Sequence, residues 1–210
     1  MGYNKKTAKF WDRLAKNFAE EAQNIQLADN KDFVATLKYL KSADVVLDYG
    51  CAAGTVANAI ADKVHEIQAL DISPKMIEAA KKAAGARHIE NIHYAQTTIF
   101  DERYQKESFN VILAFNILHL LEDAPHDIQR ISDLLLPGGL FISTTPCLGQ
   151  SMIFWRILLP LAVKMRITPY IGFFKAAELE ALLTKENFQI VESESLSANP
   201  PDQFIVARKL

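Results

Sequence analysis

The sequence predicts an α/β fold with a mostly parallel sheet, and three features point to it. Short apolar runs end in an acid and pass straight into small or helix-starting residues, as at Val45-Val46-Leu47-Asp48 and again at Ile67-Gln68-Ala69-Leu70-Asp71. Runs of this kind suit strands buried on both faces. Strand-like and helix-like segments then alternate through about residue 146, which puts helices on both sides of one sheet. With 210 residues the chain is long enough to bury such a core as one domain without disulfides.

In chain order, residues 5–23 predict an amphipathic helix, with Phe10, Trp11, Leu14 and Phe18 on one face. A second helix over 31–41 leads into a strand at 45–50. Helix 54–63, strand 66–72, helix 75–86 and strand 92–96 follow. Ser73 caps the helix that Pro74 opens. Strand 109–116 precedes helix 124–136, whose ends are marked by Pro125 and by Pro137-Gly138-Gly139, and strand 139–145 comes next. The tail breaks the alternation: helix 175–187, strand 188–196, a turn at Asn199-Pro200-Pro201-Asp202 and a last strand at 203–209. Two strands joined by so short a turn run antiparallel.

The chemistry concentrates at the tips of the first strands. Gly50, Cys51, Ala52, Ala53 and Gly54 let the backbone turn tightly beside Asp48, at the carboxyl edge where open α/β sheets bind ligands. The dinucleotide fingerprint G-x-G-x-x-G needs glycines at 50, 52 and 55, but the chain has Gly50, Ala52 and Thr55. A D-x-G-x-G-x-G loop fits better, with Asp48, Gly50 and Gly54 in register and only the middle glycine replaced. An ordinary strand–helix turn is the plain alternative for this loop taken alone. One strand–helix–strand unit later stands Asp71, whose two carboxylate oxygens suit a ribose diol. NAD and S-adenosylmethionine share that requirement.

Two further blocks complete the pattern, Phe109 to Leu121 and Leu134 to Ser143 with its Pro-Gly-Gly. In this order and spacing the four blocks resemble the class I S-adenosylmethionine-dependent methyltransferases across roughly residues 40–146, and Phe10-Trp11-Asp12 with the tail resembles the small-molecule, ubiquinone/menaquinone methyltransferase-like branch. The resemblance implies a Rossmann-like seven-stranded sheet of order 3-2-1-4-5-7-6 with the last strand antiparallel. It implies S-adenosyl-L-methionine as cofactor and S-adenosyl-L-homocysteine as product. It divides the single domain into N-terminal cap helices (1–41), a cofactor-binding core (42–146), an apolar lid insert (151–174) and a C-terminal helix and hairpin (175–210). On that resemblance Gly50 and Gly54 pass under the methionine part, whose ammonium group Asp48 helps to orient, Cys51 sits in the same cofactor turn as a small soft residue, and Asp71 takes the ribose hydroxyls. Ile72 and Met76 flank the adenine, and Thr97, Thr98 and Ile99 meet its edge. Thr97 stands where the family usually has an acid, and Asn110 where an aspartate is common. Phe115 and Asn116, at the tip of the fourth strand, complete the cofactor set.

Methyl transfer from a sulfonium needs alignment and exclusion of water, not a metal or a protein nucleophile. His119, just past the fourth strand, is the candidate acid–base residue; a loop histidine without chemistry is the plain alternative. No His, Cys or acid spacing suggests a metal site. Trp11, Phe154 and Trp155 are candidate acceptor contacts. Residues 151–174 are strongly apolar yet interrupted by cations and a proline, so their charge-free runs fall far short of the roughly 20 residues a membrane span needs. A lid over the acceptor, a core helix and a peripheral membrane contact are the readings for this segment, in that order.

A formal charge of −2 argues against nucleic-acid partners. The two cysteines, Cys51 and Cys147, make no framework and are expected reduced. The first residues, Met1 to Lys6, carry no apolar leader, so a cytoplasmic location is expected. The leading function is methylation of oxygen or carbon on a small, largely apolar metabolite. The alternatives are a nucleoside-binding protein of the same fold without turnover and an NAD(P)-dependent oxidoreductase. Oligomeric state is left open.

Overall fold

The computed structural model describes residues 5–24, 30–150, 163, 168–198 and 200–210. Its centre is a seven-stranded sheet of order β3-β2-β1-β4-β5-β7-β6, where β1 is Val45–Tyr49, β2 Glu66–Asp71, β3 Ile92–Gln96, β4 Phe109–Phe115, β5 Leu135–Pro146, β6 Phe188–Ser195 and β7 Asp202–Lys209. The first five strands pair in parallel and β7 runs antiparallel to both β5 and β6. The expected order and the antiparallel last strand are both observed.

Six α-helices are described around the sheet: α1 Lys5–Asn24, α2 Lys31–Leu37, α3 Thr55–Ile60, α4 Pro74–Ala86, α5 Ala124–Leu134 and α6 Ala176–Lys185. Alternate residues of each strand feed opposite cores. Leu47, Ile112, Phe141 and Ile205 join Ile128, Ile131, Leu179 and Leu183 of α5 and α6 on one side. Val46, Val111, Ile142 and Val206 join Phe33, Ile60, Ile77 and Ala80 of α2, α3 and α4 on the other. Both faces of the central strands are therefore covered, which is why they read as unbroken apolar runs.

The caps explain the helix starts. Asn30 accepts a hydrogen bond from Phe33 N–H at α2, Ser73 from Met76 N–H at α4 and Asp123 from His126 N–H at α5. Three expected boundaries are corrected. The second helix stops at Leu37 rather than residue 41, because Asp44 accepts the Lys41 N–H through its side chain (2.8 Å) and draws that stretch into a turn. The third closes through a 3-10 turn at Ala61–Lys63. The fifth ends at Leu134, and Pro137-Gly138-Gly139 lie inside β5 rather than ending the helix. The β4–β5 register shifts between Phe109 and Val111, and Gly138 takes φ +76° to absorb it. The β6–β7 hairpin turns through Pro200 and Pro201, while Asn199 lies outside the described residues.

Asn110 holds the start of the central strand. Its Oδ1 accepts the Val45 N–H at 2.8 Å, doing from β4 what an aspartate would do with charge. Asn110→Ala leaves that donor unpaired and is expected to cost about 1 to 2 kcal/mol by urea denaturation. An unchanged midpoint would contradict this assignment.

Candidate functional site

The β1–α3 turn shows why its residues are small. Gly50 and Cys51 donate their backbone N–H groups to the Leu70 carbonyl at 2.8 and 2.9 Å, pinning the turn to the end of β2. Gly50 has φ +79°, and a Cβ there would lie 2.4 Å from Ile117 Cδ1. Ala52 adopts φ +46°, a left-handed conformation costly for a residue with a Cβ. Asp71 holds it there, because Asp71 Oδ2 accepts the Ala52 N–H at 3.1 Å. Asp71 Oδ1 accepts the Ser73 N–H at 2.7 Å. Each oxygen of this carboxylate thus accepts one of these N–H groups, and the Ile72 N–H adds to their pull on the acid.

Two adjoining cavities open around these strand tips. The first, about 340 Å³, is lined by Tyr49, Gly50, Ala52, Asp71, Ile72, Met76, Thr97, Phe115, Asn116, Ile117, His119, Leu120, Leu121 and Pro146, with Thr7, Trp11 and Phe18 of α1 opposite. The second, about 210 Å³, shares Phe18, Gly50, Ala52, Phe115 and Asn116 with it and adds Asp48, Cys51, Asp32 and Glu21. Among the described residues neither wall contains a lysine or arginine.

Burial sets the electrostatics of the site. Asp48 is 3% exposed, and its Oδ2 has no hydrogen-bond partner among the described residues. Burial, reinforced by the Asp71 charge, pushes the Asp48 carboxyl up to about 7. Burial also raises Asp71 to about 6, against the pull of the Ser73 and Ala52 N–H donors. Burial keeps Cys51 a thiol, with help from the Asp48 and Asp71 charges. Burial lowers His119 to about 4 despite the opposing influence of Asp202, so its imidazole is neutral at pH 7 and a weak base. His119 Nδ1 is buried with no partner among the described residues.

The structure brings Gly50, Asp71, Ile72, Met76, Thr97, Phe115, Asn116, His119 and Trp11 to one cavity, and Asp48 and Cys51 to the adjoining one. Three expected cofactor contacts lie outside both walls. Gly54 faces the core: a Cβ there would sit 2.6 Å from Tyr94 Oη and 2.9 Å from Ala80 Cβ, so its size serves the packing of α3 against α4 and β3. The Thr98 carbonyl accepts from Asp101 N–H. Ile99 is fully buried, and its carbonyl accepts from Arg130 Nε at 3.0 Å. The Thr97 hydroxyl donates to Asp101 Oδ2 at 2.9 Å, which leaves its oxygen free to accept. Phe154 and Trp155, like most of 151–174, lie outside the described residues.

Tyr49 and Ile117 were not expected in the wall. Tyr49 donates its hydroxyl to the buried Asp127 at 2.7 Å, so its ring, not its oxygen, is what it offers the cavity. Ile117, Leu120 and Leu121 carry an i, i+3, i+4 apolar spacing that signals a single face. Among the described residues no cluster of His, Cys, Asp or Glu could hold a metal, and no helix is long and apolar enough to cross a membrane.

Comparison with known proteins bears on this geometry. A family profile described as "Methyltransferase domain" matches residues 40–198. The ubiquinone biosynthesis O-methyltransferase of Haemophilus ducreyi is 36% identical over 108 residues, covering 47% of this chain and 44% of that protein. The enzyme of the same name from Rickettsia typhi is 27% identical over 158 residues, covering 73% and 63%. The chain therefore spans less than two thirds of the length of these relatives. Among solved structures, phosphoethanolamine N-methyltransferase 2 of Haemonchus contortus in complex with phosphomonomethylethanolamine and S-adenosylhomocysteine superposes with a TM-score of 0.77 at 16% identity, covering 94% of this chain and 58% of that one, and the same protein in complex with S-adenosyl-L-methionine superposes with a TM-score of 0.72 at 17% identity, covering 86% and 52%.

The buried carboxylates set a pH dependence in the free protein. An acid whose folded pKa is raised contributes stability fully present below its unfolded pKa and lost as pH rises through the folded value. For Asp48 that window runs from about 4 to about 7. Asp48→Asn is expected to remove a decline of about 2 kcal/mol between pH 5 and pH 8, read by denaturant unfolding at both pH values. Parallel pH profiles for variant and wild type would contradict it.

Proposed function

The chain belongs to the methyltransferase domain family, and from that premise we propose that it transfers a methyl group from S-adenosyl-L-methionine to oxygen or carbon of a small, largely apolar acceptor. The observation that carries the proposal is the crevice itself: acids on its walls, no lysine or arginine among the described residues that line it, and the Asp71 carboxylate held at the strand tip by backbone donors. Such a site favours a cationic nucleoside. The NAD(P) reading comes last because the turn carries Ala52 and Thr55 where the dinucleotide fingerprint needs glycines for the pyrophosphate to approach.

The residues fit that cofactor. Asp71 accepts the two ribose hydroxyls while Ser73 and Ala52 hold its carboxylate in place. Asp48, with an orphaned buried oxygen, supplies negative charge beside the glycine turn for the amino acid end. Ile72 and Met76 provide apolar surface for the base, and the Thr97 oxygen accepts at its edge. Gly50 lines both cavities with backbone alone, its missing side chain making room for Ile117. When bound, S-adenosyl-L-methionine supplies an activated methyl on a positively charged sulfur. Trp11, Ile117, Leu120, Leu121 and Pro146 exclude water from the remaining volume, which suits an apolar acceptor. His119 orients that acceptor as a neutral hydrogen-bond partner; with its pKa lowered to about 4 it is too weak a base to ionise a hydroxyl beforehand. The names of the ubiquinone-biosynthesis relatives support a hydroxyl as the accepting group.

Calorimetry with S-adenosylmethionine, S-adenosylhomocysteine and NADH tests the cofactor assignment: binding of the first two is expected, and preferential binding of NADH would overturn it. Methyl incorporation from labelled donor across a metabolite library then separates an enzyme from a binding protein without turnover. Asp71→Ala is expected to weaken binding of S-adenosylmethionine at least about tenfold, because two hydroxyls lose their partners. Affinity in the wild type is expected to rise about tenfold from pH 5.5 to 7.5, since the cation favours ionised carboxylates that hold their protons up to about 6 and 7. A flat titration would contradict that linkage.

A further inference from the structure

Asp12 does something the cofactor site alone does not call for. It lies on α1, beside Trp11, whose ring lines the larger cavity and packs edge-on against Phe18. Its Oδ1 accepts the Ser73 hydroxyl at 2.6 Å and the Lys75 N–H at 3.3 Å. Ser73 is thereby used three ways. Its hydroxyl donates to Asp12 and accepts from Met76 N–H at 3.1 Å, while its own N–H donates to Asp71 Oδ1. Ser73 is fully buried, so these partners are fixed by the packing around them. An unbroken set of hydrogen bonds runs from the helix roofing the cavity, through the start of α4, to the acid proposed to hold the ribose.

We infer that Asp12 is a positioning residue: it latches α1 over the bound nucleoside by tying the roof to Ser73 and thus to Asp71. This rests on the proposed cofactor site. The Asp12 carboxylate also sits close enough to Asp71 to raise that acid's pKa, so the latch places a further negative charge beside the cation site. A carboxylate at a helix start also stabilises the helix by itself. That plainer role predicts lost stability without a selective effect on ligand release, and the two roles separate by experiment.

The measurement is stopped-flow release of S-adenosylmethionine from the full chain. Asp12→Ala is expected to raise the dissociation rate about fivefold or more while leaving the association rate within about twofold. Asp12→Asn keeps an oxygen able to accept from Ser73 and is expected to stay near the wild-type rate. An unchanged dissociation rate in Asp12→Ala would overturn the latch. So would an Asn variant as fast as the Ala variant, which would assign the effect to charge alone. Hydrogen exchange in the free protein reads the same link with no ligand: amides of 5–22 are expected to exchange faster in Asp12→Ala, and equal protection would also overturn it. If the wild type binds no S-adenosylmethionine, the cofactor assignment falls and hydrogen exchange still decides the latch.

Discussion

Two carboxylates share the carboxyl ends of adjacent parallel strands, Asp48 buried and Asp71 half-buried, with no lysine or arginine among the described residues of the walls around them. Leaving a charge in such a place is costly, and the protein meets the cost unequally. Asp71 is satisfied by two backbone donors and fixes the turn between β1 and α3 as well as the start of α4. Asp48 keeps an oxygen without a partner. The pair therefore does structural work at one acid and leaves the other to hold its proton up to about pH 7 until a cation favours its ionised form. A cation arriving at the strand tips thus links binding, protonation and stability in one set of residues.

The scaffold makes this arrangement rigid. β1 lies between β2 and β4 with both faces covered, so the Asp48 and Asp71 backbones have little freedom. The turn after β1 takes three left-handed or glycine-only conformations within five residues, at Gly50, Ala52 and Gly54. Ala52 is the informative one, since it accepts backbone strain where glycine would have none. That strain is retained because Asp71 and the Leu70 carbonyl fix the turn on both sides. Asn116, at φ +55° after β4, repeats the pattern across the crevice and is held by the Thr144 carbonyl.

Much of this was legible in the sequence because it is local. Apolar runs ending in Asp48 and Asp71, and the caps at Ser73 and Asp123, are short-range signals, and they placed the strand tips that line the crevice. The features that the sequence does not announce depend on contacts distant in sequence. Pro137-Gly138-Gly139 reads as a helix stop, but pairing with β4 draws it into a strand with a bulge. Gly54 reads as part of a ligand cradle, but Tyr94 and Ala80 are what require its size. The basicity of His119 depends on burial that no neighbouring residue announces. The bond from Asp12 to Ser73 joins elements on opposite sides of the cofactor turn, and no periodicity encodes it.

On the proposed function, the acid at the tip of β2 grips the sugar of a cationic sulfur nucleoside. The most direct measurement is a crystal structure of the chain grown with S-adenosylmethionine. Both ribose hydroxyls are expected within hydrogen-bond distance of the Asp71 carboxylate, with the amino acid end lying toward Asp48. A nucleoside bound with its sugar turned away from Asp71, or a crevice left empty at saturating ligand, would contradict it.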